Sequence, residues 1–418
     1  MDRVSSAGLR AYLAWGVGAL FFFLAFIHRV SPSVMVAELM REFAVGAALL
    51  GNLAAFYFYA YASIQIPVGV LMDRFGPRRL MSAALGVCVL GAAVFAAAET
   101  ITQAYFGRFL IGFGLAFSWV GILTIVAQNF PAQRFASMVG MAQVFGMIGG
   151  VFGQAPLGLA IGAYGWRPSM AALAVLAAVL AVLAFAVIRD RAPAAPAAAG
   201  LGGLGQGLKQ VAAMPETWLM AAFGFAMTAP VQAFGGLWSV PYFAVAYGLE
   251  RPSAALLASV LYMGFGVGAV SLGWLSDRLG RRKPVLIGGS SLALGGTLLI
   301  VGWSGMPIPV LVIVMLLQGL GSGAMVAAFA LVRDRSPPHA VGAAFGIVNT
   351  ACVGSGALFQ PLIGVVLDSM WDGRIEAGVR LYHLEAYRSG FATLLVSGAL
   401  GLTVALLARE NREAAPKS

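Results

Sequence analysis

The sequence predicts an all-α membrane protein with twelve transmembrane helices in two six-helix pseudo-repeats. Three observations carry this. Of 418 residues, 60% are hydrophobic and only 10% are charged. A soluble domain holds about a quarter charged residues, so the charge present is too sparse for a water-facing surface of this size. Apolar runs of about 20 residues, the length that crosses a bilayer, recur throughout. One charged loop pattern also occurs twice, half a chain apart.

In chain order the apolar runs lie near Tyr12–Ala37, Ala47–Leu71, Leu80–Ala98, Thr102–Gln128, Phe135–Gly162 and Pro168–Ile188. A second set lies near Trp218–Val245, Ser253–Ser276, Pro284–Gly302, Ile308–Val332, Val341–Leu367 and Phe391–Ala408. The first run is too long for the core of a cleavable signal. The 54 glycines suit helices that pack closely through small residues. Two cysteines, Cys88 and Cys352, lie in separate runs and support neither a disulfide framework nor a metal site. No cofactor or metal is expected.

Between the two sets, Arg189–Ala213 carries Pro193, Pro196 and a small-residue stretch, as a flexible linker would. The expected domains are a six-helix bundle over 1–188, a linker over 189–214 and a second bundle over 215–418. The halves echo each other. Gly69-Val-Leu-Met-Asp73-Arg74-Phe-Gly76-Pro-Arg78-Arg79 returns as Gly273-Trp-Leu-Ser-Asp277-Arg278-Leu-Gly280-Arg281-Arg282, each copy after the second run of its half. Parallel repeats follow from that placement.

The net charge is +10, from 26 Lys+Arg against 16 Asp+Glu. A basic balance can signal nucleic acid, but these charges are few and scattered, and no nucleic-acid partner is expected. With the N-terminus inside and loops alternating, 18 of the 26 basic residues fall on the inner side and six on the outer. The positive-inside rule then places both termini and the linker on the cytoplasmic side. Arg29 and Arg108 are left within apolar runs.

These residues resemble the major facilitator superfamily along essentially the whole chain. The doubled Gly-x-x-x-Asp-Arg-x-Gly loop is the most specific element. Arg108-Phe-Leu-Ile-Gly112 in the fourth run is similar to the superfamily's Arg-x-x-x-Gly pattern. Gly236-Leu-Trp238-Ser-Val-Pro241-Tyr242 and Gly356-Ala-Leu-Phe-Gln360-Pro361 look like stretches of bacterial anion carriers of the nitrate/nitrite and sugar-phosphate permease types. The resemblance implies the twelve-helix major facilitator fold, alternating access, and a monomer that suffices. It also implies a latch in the paired loops: Gly69, Asp73, Arg74, Gly76 and Arg78, then Gly273, Asp277 and Arg278. A carboxylate that faces a helix N-terminus and pairs with arginine is stabilised in one conformation and released in the other. For Arg78, Arg79, Arg281, Arg282 and Lys283, fixing topology is a sufficient reading.

The intramembrane charges carry the functional expectation. A charge in the hydrocarbon core costs at least about 2.5 kcal/mol, so it normally faces a cavity. Arg29 lies about 6 Å, and Arg108 about 10 Å, toward the outer side of its run's middle. No Asp or Glu sits mid-run to neutralise either. Two such guanidinium forks would make a site for an oxyanion. Their bland alternatives are an interfacial snorkelling Arg29 and a structural or proton-relay Arg108. His28 adjoins Arg29 and either carries a proton or packs between helices. Tyr57, Tyr61 and Gln65 share one helix face at i, i+4 and i+8. Trp238 and Tyr242 pair likewise, with Gln232 nearby, and Asn349 and Gln360 lie in the eleventh run. Each of these is a candidate substrate contact, or an interhelical hydrogen bond.

The expected function is secondary transport of a small anion by symport or exchange, with protons as an open second partner. The competing expectation is a proton-coupled drug or metabolite exporter. Superfamily exporters carry a Gly-Pro pair in the fifth helix, whereas Ala155 precedes Pro156 here. No intramembrane catalytic set and no Gly-x-x-x-x-Gly-Lys-Ser/Thr loop is present, so neither an enzyme nor an ATP-driven pump is expected.

Overall fold

The structure is a computed structural model. It describes residues 2–190, 201–337 and 340–408, without the side chains of residues 2–7, 70, 73, 132, 133, 135, 136 and 201–206. The Asp73 side chain and the linker's Pro193 and Pro196 therefore lie outside the described residues.

Among the described residues, twelve helices are long and apolar enough to cross a membrane. They are Gly8–Val34, Ala47–Gly69, Pro77–Ala96, Ile101–Asn129, Ser137–Tyr164, Trp166–Val187, Pro215–Tyr247, Arg251–Leu279, Lys283–Gly302, Ile308–Arg335, Val341–Ser369 and Leu384–Leu407. Large apolar side chains such as Leu90, Val182 and Val396 point outward from them, as a lipid-facing surface requires.

Several spans are interrupted, and the interruptions follow from the sequence. The first span ends in a 3₁₀ turn at Ser31–Val34, where Pro32 offers no N–H. The fourth is split at Ala116 between Ile101–Leu115 and Phe117–Asn129. The fifth is split at Gly153 and Gln154, just before Pro156, and the tenth at Gly323 and Ala324. In the seventh, Pro230 opens a π-helical stretch, Pro230–Trp238. Backbone groups at such breaks need new partners. Gln65 Nε2 donates to the Ala116 carbonyl at 3.3 Å, and Ser118 Oγ donates to that of Leu115 at 2.7 Å. Ser33 Oγ lies 2.8 Å from the Val30 carbonyl and 2.9 Å from Gln154 Oε1.

Two smaller elements accompany the spans. The linker carries a helix, Leu201–Ala212, in which Val211 is fully buried with Leu208 packed beside it; one apolar face suffices to order the segment. Beside the helices there is one short hairpin, Ile375–Glu376 with Val379–Arg380. Its two-residue turn, Ala377–Gly378, has both φ angles positive, the geometry that suits tight hairpins.

Contacts divide the chain into two compact units. The first holds Met1–Met35 and Phe56–Gly203; the second holds Val36–Ala55 and Leu204–Ser418. In the first, the first, fourth and fifth spans pack through Ala19, Ile122, Val126, Met138 and Ala142, with Trp15 and Trp119 against them. In the second, Phe223, Met227, Leu286, Ala328, Val348 and Ala405 belong to one hydrophobic core.

Candidate functional site

Three spans of the first unit bring the sequence's candidates together. Phe26 and Arg29 come from the first, Tyr57, Tyr61 and Gln65 from the second, and Arg108 from the fourth. Arg29 is 7% exposed. Its guanidinium carbon lies 4.4 Å from the Phe26 ring centre, 5.2 Å from that of Tyr61 and 5.8 Å from that of Tyr57. An interfacial snorkelling arginine would not be so enclosed.

Arg108 is fully buried. Its guanidinium carbon lies 5.2 Å from the same Tyr57 ring centre, so the two guanidinium carbons are no more than 11.0 Å apart, the sum of their distances to that ring. Nη1 donates to the His28 carbonyl at 2.8 Å. Nε and Nη2 are buried with no hydrogen-bond partner. Gly112, one turn after Arg108, explains the geometry: a Cβ there would collide with the backbone of Tyr57. The glycine lets the fourth span touch the second, and the arginine one turn earlier then lies over the tyrosine ring.

Tyr57 Oη donates to the Ala25 carbonyl at 3.2 Å, and its ring stacks on Tyr61 with centroids 5.8 Å apart. Gln65 Nε2 is engaged at Ala116. The His28 ring is fully buried, and neither ring nitrogen has a hydrogen-bond partner. Among the described residues, Glu216, Asp277, Asp334, Asp368 and Glu385 are the acids within the spans, each within three positions of a span end. No carboxylate is thus placed mid-span beside either arginine.

The second unit treats its candidates unequally. Gln360 is central: its Nε2 donates to the Gln232 carbonyl at 2.8 Å, its own carbonyl accepts from Trp238 Nε1 at 3.0 Å, and its buried Oε1 has no partner. Tyr262, which the sequence reading missed, stands beside it and donates to the Val231 carbonyl at 3.0 Å. The available signal was the one used for Tyr57, a phenol in mid-run. Tyr242 is elsewhere, in an aromatic cluster with Phe234, Tyr387 and Phe391. Asn349 is half-buried, eleven residues or about 16 Å of helix from Gln360.

The paired loops share a backbone feature. Gly76 and Gly280 have φ of 78° and 60°, a region that favours glycine. In the second copy, Arg282 Nη1 donates to Asp277 Oδ1 at 2.5 Å, and Nη2 reaches Asp334 at 3.5 Å. Arg278 lies over Trp274, and Gly273 lies in contact range of Val326. In the first copy, a Cβ added at Gly69 would meet nothing within 4 Å among the described residues, and Arg74 lies over Phe75. There Arg78 Nε donates to the Phe185 carbonyl at 2.7 Å, and its backbone N–H donates to Asp190 Oδ1 at 2.8 Å. Arg78 and Arg282 thus make specific contacts where topology alone would suffice.

The chain resembles characterised proteins in both sequence and shape. Over 162 residues it is 24% identical to the probable sulfoacetate transporter SauU of Cupriavidus necator, covering 39% of this chain and 38% of that one. Over 131 residues it is 28% identical to the nitrate/nitrite transporter NrtP of a Picosynechococcus, covering 31% and 24%. Over 160 residues it is 28% identical to the multidrug resistance protein Stp of Mycobacterium tuberculosis, covering 38% and 29%. The chain thus spans well under half the length of each of these relatives. In shape it matches the nucleoside transporter NupG with a TM-score of 0.74 at 14% identity, covering 94% of this chain and 99% of that one. A bacterial homologue of the human lysosomal transporter Spinster gives 0.73 at 15% identity, covering 95% and 96%. Residues 17–249 and 225–418 match the family model of the Major Facilitator Superfamily. With twelve spans, the doubled Asp-Arg loop and Gly112 seated against Tyr57, the chain belongs to that superfamily.

Proposed function

We propose that this protein is a secondary active transporter of a small oxyanion, a carboxylate, sulfonate or nitrate-like species, working by alternating access. The observation that carries the reading is Arg108. It is a fully buried guanidinium with two donors unfilled, beside a second arginine on the same tyrosine ring, with no mid-span carboxylate among the described residues. An uncompensated buried cation is costly, and an anionic solute that accepts from both forks offsets that cost. Phe26, Tyr57 and Tyr61 supply an apolar wall with polar tips, which suits a small planar or tetrahedral anion. Two relatives carry names of anion carriers, for sulfoacetate and for nitrate/nitrite, in line with this reading.

Symport and exchange are both compatible with this site. A mid-span acid, the usual proton carrier, is absent among the described residues, so a coupled proton would ride on His28 or on the solute. The exporter reading draws on the resistance-protein names among the relatives. The residues around Arg29 and Arg108 favour an anion over a lipophilic cation.

The test is binding of an oxyanion panel to purified protein by thermal shift, with Arg29→Ala and Arg108→Ala alongside. Both variants should lose the hit's stabilisation while keeping the parent's ligand-free melting behaviour to within a few degrees. Equal binding by all three proteins would overturn the anion site.

A further inference from the structure

Val36–Ala55 belongs by position to the first sequence repeat, yet it packs within the second unit. Specific polar contacts hold it there. The second span's helix opens at Ala47, and the first N–H groups of a helix have no acceptor within it. Asp368, the next-to-last residue of the eleventh span, fills that role. Its Oδ1 accepts from the Ala47 N–H at 3.1 Å, and its Oδ2 from the Ala48 N–H at 2.9 Å. Tyr382 Oη donates to Asp368 Oδ1 at 2.5 Å and accepts from the Ala47 N–H at 2.9 Å. Arg380 Nη1 stands 3.4 Å from the same carboxylate. Burial, and then the bond to Asp368, raise the pKa of the Tyr382 hydroxyl, so it remains a donor.

The backbones close in around this clamp. A Cβ at Gly364 would collide with Ala47, and one at Gly51 with the Gln360 carbonyl. Two ties flank it: an ion pair between Arg251 and Glu38, and a bond from Arg41 Nε to the Ala377 carbonyl at 2.8 Å, at the hairpin tip. By span count, the start of the second span and the end of the eleventh share one membrane face, opposite to that of the Asp277 loop.

We propose that Asp368 is a reversible latch for this face: its carboxylate clamps the N-terminus of the second span, and that turn leaves the second unit when the face opens. The chemistry suits a latch better than a permanent weld. Charge-assisted bonds hold the closed state strongly, the Asp368 side chain is 22% exposed, and water can satisfy both the N–H groups and the carboxylate after release. The close approaches at Gly364 and Gly51 are between glycine and backbone, which separate without unpicking interlocked side chains. The device operates whatever the solute, so it stands apart from the anion reading.

The test introduces Leu50→Cys, a fully buried position one turn into the second span, and measures its labelling by a membrane-impermeant maleimide added on that face. Cys88 and Cys352 are buried, and the parent without the new cysteine sets their background. Asp368→Asn should raise the labelling rate on the order of tenfold, the effect of weakening charge-assisted bonds, and Asp368→Glu should raise it less. Tyr382→Phe removes one clamp bond, should give an intermediate rate, and carries the test if the Asn variant does not fold. Unchanged labelling in a folded Asp368→Asn or Tyr382→Phe variant would overturn the latch, with no bearing on solute identity.

Discussion

The Nη1 of Arg108 donates to the carbonyl oxygen of His28 at 2.8 Å, and that carbonyl is the one left without its helical donor by Pro32, four residues on. Ser31 Oγ shares it at 3.1 Å. The first span's break thus creates an acceptor inside the bundle, and the fourth span's arginine docks on it. Pro32→Ala restores the N–H and sets it in competition with Arg108. The variant should fold, and should bind the oxyanion roughly tenfold more weakly, about 1.4 kcal/mol. Titration calorimetry on the panel hit reads this directly, and an unchanged Kd would show that the docking does not position Arg108 for binding.

Charge alone should not suffice at the two arginines. A lysine keeps the charge but loses the planar fork and its stacking on the ring. Arg108→Lys should weaken oxyanion binding by about tenfold or more. Arg29→Lys should weaken it too, since Arg29 lies over three rings. The comparison is the Kd of each variant for the same anion at constant ionic strength.

Gly112→Ala places a methyl against the Tyr57 backbone. Overpacking of this kind typically costs about 1–3 kcal/mol, and here it also pushes the Tyr57 ring from beneath Arg108. The melting temperature in detergent should fall, and solute binding should fall with it. Retained stability together with full binding would mean that the two spans separate freely.

Arg282→Gln severs the bridge from Asp277 to Asp334. Asp277 is 72% exposed, and exposed ion pairs contribute little to stability, about 0–1 kcal/mol. Melting should therefore barely move. If the loop is a latch, transport in proteoliposomes should drop several-fold. Unchanged turnover would return these charges to a topological role.

Some features could be read from residue order because their causes are local. Span length, apolar content and the doubled Asp-Arg loop point to twelve helices, and the described residues hold twelve. Arg29 and Arg108 stood out because charge is expensive in hydrocarbon wherever the chain folds. The breaks were less legible. Pro32, Pro156 and Pro230 mark where a donor is missing, but the partner that takes the freed carbonyl comes from another span. Tyr242 shows the limit in the other direction: it matched Trp238 at helical spacing, yet it faces an aromatic cluster while Trp238 bonds the eleventh span.

By itself the sequence determined the membrane class, the twelve spans, the two repeats and two arginines set in apolar runs, since hydrophobic length and charge cost depend on composition along the chain. Only the tertiary structure decided that both arginines meet on Tyr57, that Arg108 is held by a carbonyl Pro32 sets free, and that Asp368 caps a helix more than 300 residues earlier in the chain. Those contacts depend on where backbones approach closely, at Gly112, Gly51 and Gly364. A glycine permits such an approach, but only the packed partner fixes what it meets.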